Sequence, residues 1–225
     1  MAHGQIFWVV TAVIAMWGLA GCSSEEAGET GTRGSKNNKP VVMVSNYPLQ
    51  YFVERLASPL VDVRCGAAMS RDPAHWNPSP EDVAAMQAAD MIVLNGASYE
   101  QWLDKVVLPQ SRLLDTSAGF CDRFIPTEGG VTHSHGPEGA HEHTGTAFTT
   151  WLDMTMAIEQ ARAVKEALVA RWPESKSSIE EQYAQLEKDL QSLDEGIKAT
   201  VASAPDRTVV FSHPVYQYFQ KQYGI

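Results

Sequence analysis

Six of the seven histidines in this 225-residue chain fall between residues 75 and 213. His213 stands in TVVFSHPVYQYFQKQYGI, after a β-rich run, Thr208 to Phe211, and before an aromatic stretch with Tyr216, Tyr218, Phe219 and Tyr223. A histidine at the carboxyl end of a strand sits where open α/β sheets place their ligands. His75 stands in DPAHWNPSPED, ahead of a helical pattern. Its neighbours Pro73, Pro78 and Pro80 restrict the backbone and reduce the entropy lost on ordering a ligand. Between these two, His133, His135, His141 and His143 lie in a Gly/His loop, residues 126–146, spaced i, i+2 and i, i+2. Neutral imidazole suits zinc, and the lack of neighbouring cysteines argues against a structural Cys-type site. The loop histidines have no framework, so they predict low-affinity capture; a solvated loop with incidental histidines is the alternative. No Gly-rich phosphate loop, H-E-x-x-H pair or G-x-S-x-G elbow occurs. Ser212-His213 beside many acids would suit a hydrolase, but no spacing singles out a nucleophile with its base.

The elements that must carry these residues alternate. Val41 to Ser45, Val61 to Cys65, Met91 to Leu94 and Arg112 to Leu114 read as strands. Leu49 to Ala57, Glu81 to Ala89, Ser98 to Val106 and Leu152 to Arg171 read as helices, with Ser79 capping the second ahead of Pro80. Strands alternating with helices imply parallel crossovers and an α/β layer structure. Ile179, Tyr183, Leu186, Leu190, Leu193 and Ile197 then mark a long helix from Ser178 to Ala202, about 37 Å at 1.5 Å per residue. Ser178 and Glu181 offer a capping box. The apolar pattern lasts about three heptads before Pro205 leads into the Thr208–Phe211 run, which fits a helix packed along α/β lobes better than a coiled coil.

Ile6 to Ala20 is an uncharged apolar run of signal-peptide length ending in Leu19-Ala20-Gly21-Cys22. It resembles a bacterial lipobox, cleaved before Cys22, which then takes lipid; an uncleaved transmembrane anchor is the alternative, and the n-region MAHGQ lacks Lys and Arg. Residues 23–39 hold no large apolar side chain and read as a flexible tether. The rest, about 185 residues, is long enough to bury a core. A net charge of −10 argues against nucleic acid and suits a cation. In an oxidising compartment Cys65 and Cys121 form an even pair, either a disulfide contributing about 4 kcal/mol or two buried thiols.

DPAHWNPSPED, AADMIVLNGASYEQWLDKV, LLDTSAG, TTWLDMTMAIEQARAVKEAL and the closing segment occur in an order and spacing that resemble the zinc/manganese solute-binding lipoproteins of ABC-type metal importers, in their zinc-preferring branch. The resemblance covers residues 40–225. It implies two α/β lobes joined by one long rigid helix, with metal in the cleft between them. The first lobe would span 40–175 and the linking helix 176–204. Residues 205–225 would begin a second lobe, which is expected to be incomplete in this chain. His75 carries over from the first lobe and His213 from the second, and a histidine at the latter position favours Zn2+ over Mn2+. The family's second histidine falls at Thr149, a poor zinc ligand, which leaves His143 as a candidate replacement; a carboxylate ligand would fall beyond Ile225. The resemblance further implies a non-enzymatic, monomeric receptor, exported and lipid-anchored in the periplasm or on the outer face of the membrane. Its partner would be an ABC permease; a zinc buffer or surface adhesin with the same fold is the alternative.

Overall fold

The computed structural model describes residues 39–66, 76–134 and 140–225, and the side chains of 128–144 lie outside that description. The readings made for the export signal, for Cys22, for nearly all of the tether, and for His75 and His135 therefore fall outside the described residues.

Four short strands build one parallel sheet: β1 (Val41–Val44), β2 (Asp62–Cys65), β3 (Met91–Leu94) and β4 (Leu113–Asp115), in the order β2-β1-β3-β4. Val42 pairs with Val63 on one side and Met91 on the other, and Val93 pairs with Leu114. Alternation along the strands divides the core. Val42, Val44 and Val93 face helices α1 (Tyr47–Ala57), α3 (Met154–Arg171) and α4 (Lys176–Ala202), where Leu49, Phe52, Val53, Ala161, Val164, Leu168, Ile179 and Leu186 are buried. Met43, Ile92 and Leu94 face the other way, against Met86 of α2 (Pro80–Ala88), Trp102 and Leu108. Both faces are covered, as a parallel sheet requires.

Local chemistry explains the helix starts. Asn46 accepts from Leu49 N–H at 3.0 Å to open α1. Ser79 and Asp82 form a reciprocal capping box at α2, with Pro80 in its first turn. Asp153 caps α3 through Thr155 N–H.

Five expectations need correction. Residues 98–106 form no α-helix, only a 3-10 turn at Leu103–Lys105, because Gly96, Ala97 and Ser98 all take positive φ and turn the chain back after β3. The 126–146 region is not a structureless loop: β5 (Pro126–Ser134) and β6 (Ala140–Thr146) pair antiparallel, placing His133 opposite His141 and Val131 opposite His143. The long helix begins at Lys176 after Ser175, so Ser178 lies inside it and caps nothing; its stripe also loosens at Leu193, which is 50% exposed. No strand forms at 208–211, where Val209 and Val210 are exposed and, among the described residues, no neighbouring strand supplies a ladder. Cys65 and Cys121, left open between a disulfide and two buried thiols, match neither: they are not bridged, the first is half-buried on β2 and the second is exposed in a 3-10 segment, Ala118–Arg123. After α4 the chain ends in a short helix, α5 (Gln217–Tyr223), docked on α4 by Tyr223 O–H donating to Asp194 at 3.0 Å.

Candidate metal centre

Because the four strands are parallel, the residues that follow them share one edge. Gly66 follows β2, Ser45 and Asn46 follow β1, Asn95 follows β3, and Thr116 and Ser117 follow β4. Their side chains are polar yet buried: Asn46, Asn95, Thr116 and Ser117 are each at most 3% exposed. Buried polar groups of this kind persist only when hydrogen-bonded.

Here they hold a turn and a segment. The turn is Asn95–Glu100. Glu100 is buried in it and accepts from Asn95 N–H at 2.6 Å and Gly96 N–H at 3.1 Å, closing the left-handed run of Gly96, Ala97 and Ser98. A side chain at Gly96 would meet Asp115 Oδ1 at 2.0 Å as well as needing φ of +75°. Burial pushes the Glu100 carboxyl up to about 7, against the opposing hydrogen bonds from Ser45, Asn95 and Gly96.

The segment is 147–151, the stretch just before α3, and each of its residues has its own grip. Tyr218 O–H donates to Ala147 O at 2.9 Å. Asn95 Nδ2 donates to Phe148 O at 2.9 Å. Thr149 O–H donates to Val215 O. Thr150 O–H donates to Gln160 Oε1 at 3.3 Å. Trp151 packs edge-on against Tyr99, which also meets Phe148. Gln160, fully buried on α3, ties the set together: its Nε2 donates to Asn95 Oδ1 at 3.1 Å and to Thr116 Oγ1 at 2.9 Å. No sequence motif announced Gln160 or Asn95 as partners. Gln160 sits at a core-facing α3 position between Ala157 and Val164, and a polar residue on an apolar face was the available signal.

The predicted ligands divide into three groups. His213 is exposed and lines an open depression with Phe211, Tyr216 and Gln217. Its Nδ1 lies 3.0 Å from Ser212 Oγ. When Nδ1 carries the proton and donates to that oxygen, Nε2 is the nitrogen with a lone pair for a metal. Thr149 brings this part of the chain, through Val215, to the carboxyl edge of the sheet. His75 lies outside the described residues, but its neighbour Trp76 is anchored at the same edge. The indole packs on Trp102 with ring centroids 5.4 Å apart and fills the space where a Cβ on Gly66 would stand, 2.7 Å away. His133, His141 and His143 have their backbones in the hairpin, whose strands lead back to Ala147 and the clamped segment. Among the described residues no three His, Cys, Asp or Glu side chains converge as a metal group.

Residues 42–225 match the family described as zinc-uptake complex component A, periplasmic. The high-affinity zinc uptake system protein ZnuA of Bacillus subtilis is 25% identical over 228 residues, covering 97% of this chain and 69% of that protein. The zinc-binding lipoprotein AdcA of Streptococcus pneumoniae is 25% identical over 211 residues, covering 92% of this chain and 40% of AdcA. A crystal structure of ZnuA superposes with a TM-score of 0.68 at 26% identity, covering 83% of this chain and 68% of the other. The chain thus spans about two thirds of two of these proteins and well under half of AdcA.

Proposed function

This chain belongs to the periplasmic zinc-uptake component A family, and on that premise we propose that it captures a divalent metal ion outside the cytoplasm, zinc ahead of manganese, and hands it to the permease of an ABC importer. The observation that carries the reading is the meeting of the Thr149 segment with the His213 segment at the carboxyl edge of the sheet, the edge where α/β folds bind ligands. His75, next to the anchored Trp76, and His213 supply imidazole from the two sides, and His143 is the candidate third ligand in place of Thr149. The hairpin histidines His133, His135 and His141 supply weaker sites. Residues 40–175 act as the first lobe, 176–204 as the linking helix and 205–225 as the start of the second lobe. Cys22 carries lipid and 23–39 tether a monomer to the membrane. The metal is cargo: it is bound and released unchanged, and no step of catalysis is assigned to the chain.

Competition titration of the purified protein against a chromophoric chelator tests this. One tight zinc equivalent, with weaker manganese binding, is the expected outcome. A chain that leaves the chelator fully loaded with zinc does not have this function.

A further inference from the structure

We infer that Thr149 is a positioning residue for metal capture: its hydroxyl holds the His213 segment against the clamped 147–151 segment before any metal arrives. The consequence for affinity rests on the metal-capture reading, whereas the placement of the segment does not.

Thr149 is 6% exposed. A buried hydroxyl must find an acceptor or lose free energy, and the acceptor it takes is Val215 O. Its own position leaves little freedom, since Phe148 is held by Asn95 on one side and Thr150 by Gln160 on the other. The Val215 side is the opposite case. Residues 202–210 and 212–214 are exposed, and no sheet ladder orders them. What stiffens this stretch is local: Phe211 stacks on Tyr216 with centroids 4.5 Å apart, and Gln217 Nε2 donates to Pro214 O at 2.7 Å.

One residue, Pro214, separates His213 from Val215. Its ring fixes φ, and it confines the preceding residue, His213, to extended conformations. A carbonyl held at Val215 therefore fixes where the His213 backbone can lie, to within few alternatives. Thr149 acts through this short stiff link and need not touch the metal.

Two variants and two readouts test the inference. Thr149→Val keeps the shape and removes the donor; Thr149→Ser keeps the donor. In the metal-free protein, backbone NMR order parameters across 211–217 are expected to fall from near the rigid value of about 0.85 toward about 0.6 in Thr149→Val, and to stay near wild type in Thr149→Ser. Zinc affinity is expected to fall about five- to tenfold in Thr149→Val, the effect of one lost neutral hydrogen bond, and the substitution should have no further effect in a His213→Ala background. Unchanged order parameters in Thr149→Val overturn the inference whatever zinc does. A loss of zinc affinity with unchanged order parameters would make Thr149 a ligand instead, which also overturns it. Lowered order parameters in a protein whose wild type binds no zinc keep the positioning role and remove the metal-capture reading.

Discussion

Residues 147–151 and residues 207–216 are joined by the Thr149–Val215 hydrogen bond, yet they are held in opposite ways. In the first, every residue is gripped from elsewhere in the fold: Ala147 by α5, Phe148 and Trp151 by the 95–100 turn, Thr149 by the 215 carbonyl and Thr150 by α3. In the second, residues 207–210 and 212–214 face solvent and the contacts are mostly between near neighbours. The difference teaches that half of this site is built by folding and the other half is positioned by contacts made to the first. A ligand held on a preformed frame costs little entropy when metal binds, and one on an exposed segment costs more. Affinity should therefore respond to what happens at the weakly held half, and stability to what happens at the strongly held half.

The largest effect should come from breaking the exposed half. Metal binding to the folded state alone adds about 4 kcal/mol of stability when free zinc is a thousand times its dissociation constant. His213→Ala and His75→Ala should each remove most of the zinc-dependent rise in melting temperature, and the double variant should lose little more than either. Melts with and without zinc decide this; two single variants that keep the full rise leave no shared site.

Breaking the clamped half should act without metal and through pH. Burial makes the folded protein hold the Glu100 proton more tightly than the unfolded chain does, with the carboxyl at about 7 instead of 4.5. The stabilising contribution is thus fully present below pH 4.5 and is lost as pH rises through 7, with a span of roughly 3 kcal/mol. Urea titrations from pH 4.5 to 7.5 should show that slope in the wild type and a flatter one in Glu100→Gln. Parallel slopes would mean that Glu100 does not carry the proton.

A smaller loss, about 2 kcal/mol, is expected of Gln160→Leu, which removes the shorter of two hydrogen bonds to Asn95 Oδ1 and the acceptor of the Thr150 hydroxyl. The denaturation midpoint should drop while zinc affinity changes less than in Thr149→Val; the reverse ranking would erase the distinction between the two regions. The smallest effect should be that of the hairpin. Deleting 133–143 is expected to remove weak zinc equivalents in calorimetry and leave the tight one. Loss of the tight site would instead place a hairpin histidine, His143 first, among its ligands.

The sheet and its helices were legible because their signals are local. VVMV and MIVL are continuous apolar runs suited to a sheet covered on both faces, and Ser79 with Pro80 marks a helix start in four residues. The 98–106 segment misled because its helical spacing is real, while the deciding interaction is a glutamate folding back onto two backbone N–H groups, which spacing does not encode. Thr208–Phe211 has β-branched residues suited to a strand, but a strand needs a partner, and partnership is a tertiary fact. For the candidate site, histidine and proline content pointed to residues 75 and 213, of which the described structure includes only His213. The amides of Asn95 and Gln160 stayed hidden, since a single buried amide leaves no periodic trace.

The Asn95-Gly96 sequence also bears on how the protein ages. Asparagine followed by glycine is prone to deamidation, in which the glycine nitrogen attacks the side-chain amide carbon, expels ammonia and closes a succinimide that water then opens to a carboxylate. Here Gly96 N–H is held by Glu100, and the Asn95 amide is turned to Phe148 O, Gly96 O and Gln160. The folded chain thus keeps the attacking nitrogen engaged elsewhere. Each excursion to the unfolded state frees it, and a molecule that deamidates there would refold with a carboxylate at the centre of the lattice that holds residues 148–150. Chemical lifetime is thereby tied to folding stability through a single dipeptide.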